Sequence, residues 1–124
     1  MRIYFTLLAF FVSIFVVKAQ DAEMDLKQYY FVILVKGANR TQDSVTVAKI
    51  QAGHLANITR LYEEGKIDLA GPFADDTDWR GIFIFNVESK EEVIALLKTD
   101  PAIAAGRLDF IIHPWYGKKG TVLR

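Results

Sequence analysis

Apolar residues follow two different periods along this chain. The run "YYFVILVK", Tyr29 to Lys36, is almost unbroken and rich in aromatic and β-branched side chains, as in a strand buried on both faces. From Val45 to Glu64 the spacing becomes helical, with the capping types Asp43 and Ser44 before it and Gly65 after it. "KIDLAGPF" predicts a short strand that stops at Gly71-Pro72, because proline cannot donate to a sheet ladder. Beyond the polar loop "ADDTDWR", the segment "GIFIFNV" is a second strong strand. Ser89 followed by Glu92 has the form of a capping box and opens a helix over "SKEEVIALLKT". Pro101 then disfavours helical geometry at Asp100, and "RLDFIIHPWYG" supplies the last strand.

Strand, helix, strand, strand, helix, strand is the order of an α+β, ferredoxin-like βαββαβ fold, one antiparallel sheet with two helices on one face. The other face of that sheet needs its own cover. Ile82 and Ile84 lie on one side of the third strand and Phe83 and Phe85 on the other, and the first strand is apolar on both sides. Two helices hide only one face, so the pattern predicts a second copy of the chain against the other, a homodimer.

The ends of the chain change the picture. "MRIYFTLLAFFVSIFVVKAQ" has a basic Arg2, an apolar run of 15 residues from Ile3 to Val17, and a small residue at Ala19. This is the pattern of a secretory signal peptide over residues 1–19, cleaved after Ala19, and it predicts a secreted or periplasmic protein. A membrane span, the alternative, needs roughly 20 apolar residues. Residues 20–28 read as a polar leader, 29–117 as one domain, and 118–124, with "GKKG", as a C-terminal tail. Loss of Arg2 and Lys18 leaves a slightly acidic balance, which offers no footprint for nucleic acid, and no membrane contact is expected after cleavage. The chain has no cysteine, so thiol catalysis, disulfides and zinc-thiolate sites are excluded.

One residue interrupts the apolar stripe of the first helix. At 100° per residue, Val47, Ile50, Leu55, Ile58, Leu61 and Tyr62 share an arc, and His54 projects near its middle with Gln51 one turn earlier. Such a histidine is either a core residue satisfied by a buried acceptor or a titrating group presented to a cleft.

The span from His54 to Phe73, the "GKIDLAGP" of Gly65 to Pro72, the pair Asp100-Pro101, Gly106 and the pair Pro114-Trp115 together resemble the YCII-related (YciI-like) proteins of the dimeric α+β barrel superfamily. The resemblance covers Tyr29 to Trp115. It implies that His54 and Asp100 face each other in a cleft as a catalytic dyad, the carboxylate fixing the imidazole tautomer so that the other ring nitrogen is basic. Many relatives carry an arginine three residues before the histidine, where this chain has Gln51, and relatives are mostly cytoplasmic.

Gln51, Gly71, Pro72, His113 and Trp115 are the candidates for substrate contact. His113 and Asp109 lie four apart on the last strand and share a face with Trp115. They form either part of a pocket or a polar pair at the subunit interface, and two such residues are too few for a metal site. "DDTD", Asp75 to Asp78, lacks the spacing of a calcium loop and reads as a hairpin tip. The expected function is small-molecule binding with acid/base chemistry of the isomerase, lyase or dehydrochlorinase type, needing no cofactor and no metal. The alternative is a non-catalytic small-molecule-binding or regulatory domain.

Overall fold

The computed structural model describes residues 24–124. The expected signal peptide, 1–19, and the first part of the leader lie outside the described residues.

The order of elements is β1 (Leu26–Lys36), α1 (Ser44–Glu63), β2 (Ile67–Pro72), β3 (Trp79–Phe85), α2 (Lys90–Leu97), a single helical turn α3 (Pro101–Ala104) and β4 (Leu108–Lys118). The four strands form one antiparallel sheet in the order β2-β3-β1-β4. This is the ferredoxin-like arrangement expected from the apolar pattern. Some boundaries differ, β3 starting at Trp79 within the expected loop, and one element is added. β1 begins at Leu26, inside the polar leader, because Leu26 and Lys27 pair with Lys118 and Gly117 at the far end of β4. The added turn α3 follows from Asp100-Pro101: proline needs no amide donor at the first helical position, and the Asp100 side chain caps the turn.

Local chemistry explains where the helices begin. Asp43 Oδ1 accepts the Thr46 amide at 2.8 Å, and that bond holds the Asp43 carboxyl below the usual carboxylate range. Ser89 Oγ accepts the Glu92 amide at the start of α2. Lys66 donates to Glu92 at 2.9 Å, tying the start of β2 to α2; the bond raises the lysine and lowers the carboxyl, so both stay charged at neutral pH.

Alternation along the strands divides the sheet into two faces. Tyr30, Val32 and Leu34 of β1 and Phe83 and Phe85 of β3 point to the helices, where they meet Leu61, Val93 and Leu97 in the core. Tyr29, Phe31 and Ile33 point the other way, opposite Trp115, His113 and Ile111 of β4. Among the described residues no helix covers this second face.

The helical arc read from the sequence is wider than the face that α1 buries. His54, Asn57 and Leu61 are buried, whereas Leu55 and Tyr62 are 54% and 64% exposed. The buried line is rotated toward Asn57, a residue that apolar periodicity ignores. Leu55 and Tyr62 instead border two hollows on either side of the helix.

Candidate active site

Asp100 is the most deeply buried ionisable side chain among the described residues, 1% exposed, and both of its oxygens are engaged. Oδ1 accepts the Ala102 amide at 2.8 Å and thereby caps α3. Oδ2 lies 2.6 Å from His54 Nδ1. One carboxylate thus ends one turn of backbone and orients the imidazole of another helix.

Close approach of α1 and α3 makes this contact. Gly53 precedes His54, and a Cβ at Gly53 would stand 2.8 Å from Pro101 Cγ, so no other residue lets the two elements meet at this separation. Gly53→Ala should therefore destabilise the domain although alanine is the better helix former by about 1 kcal/mol. We expect a net loss of about 1–2 kcal/mol, as overpacking typically costs, read as a lower urea midpoint. An alanine variant more stable than the parent would show that the proline ring yields.

A second set of bonds holds the turn that carries Asp100. Arg60 Nη2 donates to Asn57 Oδ1 at 2.8 Å and to Thr99 Oγ1 at 3.0 Å, and the Thr99 hydroxyl lies 3.1 Å from the same Asn57 oxygen. Asn57 is one turn beyond His54, and Thr99 is next to Asp100. Both members of the pair are therefore tethered from their neighbours.

An ionised carboxylate only accepts, so the pairing places the imidazole proton on Nδ1 and leaves a lone pair on Nε2. Among the described residues Nε2 has no hydrogen-bond partner, and no buried side-chain nitrogen or oxygen lacks one. It consequently opens on the hollow that His54 lines, a cleft of about 440 Å³ between α1 and the ends of β2 and β3. The size suits a small organic ligand.

The cleft brings together four of the sequence candidates, His54, Gln51, Gly71 and Pro72, with Asp100 behind His54. Gly71 faces open space, and a Cβ there would meet nothing within 4 Å. His113 and Trp115 are not part of it. They belong to the opposite sheet face, His113 across from Phe31 and Trp115 across from Tyr29, because residues 109, 111, 113 and 115 all point away from the helices. Trp115, 44% exposed, stacks near Tyr29 and Phe31 on that face. Sequence reasoning offered both as substrate contacts and left His113 a second role, in a polar pair at a subunit interface, because residue type cannot tell one side of the sheet from the other. It also missed Gly53, Asn57 and the arginines 40, 80 and 107 that line the cleft. A glycine inside a strongly helical pattern was a signal of close approach; the arginines sit in separate segments and carried none.

Comparisons with known proteins bear on the family and the fold. A protein of Bacillus subtilis, YjpA, itself uncharacterised, is 34% identical over 68 residues, which is 55% of this chain and 78% of that protein. A solved structure of a 5-chloro-2-hydroxyhydroquinone dehydrochlorinase, TftG of Burkholderia phenoliruptrix, in complex with 2,5-dihydroxybenzoquinone, is 30% identical, with a TM-score of 0.50 over 69% of this chain and 92% of that one. A muconolactone isomerase structure, 14% identical, shares the fold with a TM-score of 0.60 over 77% of this chain and 96% of that one. The fold is thus of the dimeric α+β barrel type. Residues 29–116 match the YCII-related domain as a whole, and the chain belongs to that family.

Proposed function

We propose that this protein is an exported, homodimeric enzyme that moves a proton on a small organic molecule without a cofactor, with His54 as general base and acid and Asp100 as its orienting carboxylate. The observation that carries the reading is the 2.6 Å contact of Asp100 Oδ2 with His54 Nδ1, which leaves the other ring nitrogen basic and on the cleft. Nε2 takes a proton from an acidic O–H or C–H of the substrate. The electron pair released moves into the conjugated system and either expels a leaving group from a saturated carbon, which in a hydroxylated chlorinated ring is the chlorine-bearing carbon of the keto tautomer, or is protonated at another carbon by the imidazolium. The first outcome is elimination and the second isomerisation. Asp100 stabilises the imidazolium in both. Likeness to a dehydrochlorinase at 30% identity favours elimination from a hydroxylated ring.

Chlorinated hydroxyhydroquinones and unsaturated lactones form the test panel, with chloride release and proton exchange followed by NMR in D2O. Turnover at least 1000-fold above that of His54→Gln is expected, in line with the usual weight of a general base of about 10²–10⁴. Binding without turnover across the panel would favour the non-catalytic domain, in which Gln51 stands where many relatives carry arginine.

Dimerisation is supported by the uncovered sheet face, where Tyr29, Phe31, Ile84 and Trp115 line a hollow of about 1100 Å³ together with Val122 and Leu123 of the tail. Light scattering at micromolar concentration should give twice the chain mass. Export is supported by the pattern of residues 1–19, and mass spectrometry of the exported protein should find Gln20 as its first residue.

A further inference from the structure

We propose that the cleft selects an organic carboxylate, whose anionic head is held by Arg40 and Arg107 while its apolar body lies against the wall of Val47, Ile50 and Leu55. The inference rests on the reading of the cleft as a substrate site and adds the class of substrate.

Charge in the cleft is one-sided. Among the described residues its lining includes Arg40, Arg80, Arg107 and His54, and no aspartate or glutamate, although the chain as a whole has no net charge. Asp100 lies behind the imidazole, with both oxygens occupied. Arg80 is neutralised, donating to Asp76 at 3.0 Å. The other two arginines are not: Arg40 Nη1 donates to the Arg107 carbonyl at 2.7 Å, and Arg107 Nη1 to Gln42 Oε1 at 3.0 Å. Both acceptors are neutral, and neither guanidinium has a carboxylate within ion-pair distance among the described residues. A guanidinium carries five N–H donors, so each keeps most of its donors for a ligand.

The two arginines are also held in place before any ligand arrives. Arg40 belongs to the loop between β1 and α1, and Arg107 to the turn between α3 and β4. These segments lie backbone against backbone, Gly37 N donating to Arg107 O at 2.8 Å and Asn39 N to Gly106 O at 2.9 Å. A Cβ at Gly37 would overlap the Gly106 carbonyl, which is why the approach needs glycine there. Arginines anchored on such a frame lose little freedom on binding, and their planar forks match a carboxylate. Inorganic phosphate would satisfy the charge but leave the apolar wall uncovered.

The purified protein is titrated at low salt with benzoate, with benzamide as the neutral isostere, and with inorganic phosphate, while the His54 ring signals are followed by NMR. Benzoate should bind at least tenfold more tightly than benzamide. Arg40→Gln and Arg107→Gln should each weaken benzoate about fivefold or more, as the loss of one charge-assisted contact does. Amide NMR signals of residues outside the cleft should keep their positions in both variants, which shows that the domain is still folded, and Arg107→Lys should retain part of the benzoate affinity. Equal binding of benzoate and benzamide, benzoate affinity unaltered in both glutamine variants, or phosphate displacing benzoate at equal concentration would each overturn the assignment. Failure of the proton-transfer reading has a different signature: no turnover in the panel while benzoate binding still depends on Arg40 and Arg107, an outcome that supports the carboxylate site on its own.

Discussion

Asp100→Asn should leave the domain folded and remove its chemistry. The asparagine Oδ1 can still accept the Ala102 amide, so the cap of α3 survives, and the amide keeps the shape of the carboxylate. Its Nδ2, however, donates where Oδ2 accepted. His54 Nδ1 must then become the acceptor, and the ring proton moves to Nε2, the nitrogen that faces the cleft. The base is lost with hardly any atom displaced. In serine proteases the equivalent exchange lowers turnover by about 10⁴, and a loss of 10³–10⁴ is expected here. Asp100→Ala makes the contrast. It removes the cap, about 1 kcal/mol, and strands a buried imidazole donor, about 1–3 kcal/mol, so chemical denaturation should show a loss of about 3 kcal/mol. An asparagine variant that turns over at the parental rate would end the dyad reading.

His54→Leu should have the largest effect on stability. Considered as a cleft residue alone, His54 could be exchanged for leucine in an apolar stripe without loss. The carboxylate behind it reverses that expectation, because Asp100 Oδ2 would be left without its partner at a site 1% exposed. Breaking a buried pair from one side costs about 3–5 kcal/mol, and the unfolding midpoint should fall accordingly. Removing both members tests the cause. In His54→Leu/Asp100→Leu no charge is left stranded, and the double variant should be more stable than the sum of the two single losses implies by at least about 1 kcal/mol. Strict additivity would mean that the two side chains are energetically independent.

These expectations show where the sequence was a sufficient guide. The two alternatives it left for His54, a residue satisfied by a buried acceptor or one presented to a cleft, are compatible in position, because the side chain that bonds Asp100 also lines the hollow; its role as a base is our proposal. Nδ1 is satisfied by a buried acceptor and Nε2 faces the hollow. Periodicity cannot distinguish the cases, since it reports which way a residue points and says nothing of what lies at each end of it. The same limit hid Asn57, which points inward with its amide bonded to Arg60 and Thr99, and it exaggerated Leu55 and Tyr62, which are apolar but border hollows.

By itself, the sequence determined the order of the four strands and the two main helices, the caps at Asp43 and Ser89, the break in helix at Asp100 imposed by Pro101, and the presence of an apolar sheet face that those helices leave uncovered. All of these are consequences of near neighbours: hydrogen bonds within a turn, the missing amide of proline, the alternation of a strand. Tertiary structure alone decided that His113 and Trp115 stand across the sheet from His54, that Gly53 lets α1 close on Pro101, and that Arg40 and Arg107 share one end of a cleft. Those juxtapositions join residues tens of positions apart, and they depend on strand register and on the distance between packed elements. No local pattern carries either quantity, because both are set by the close packing of the core and not by any segment of it.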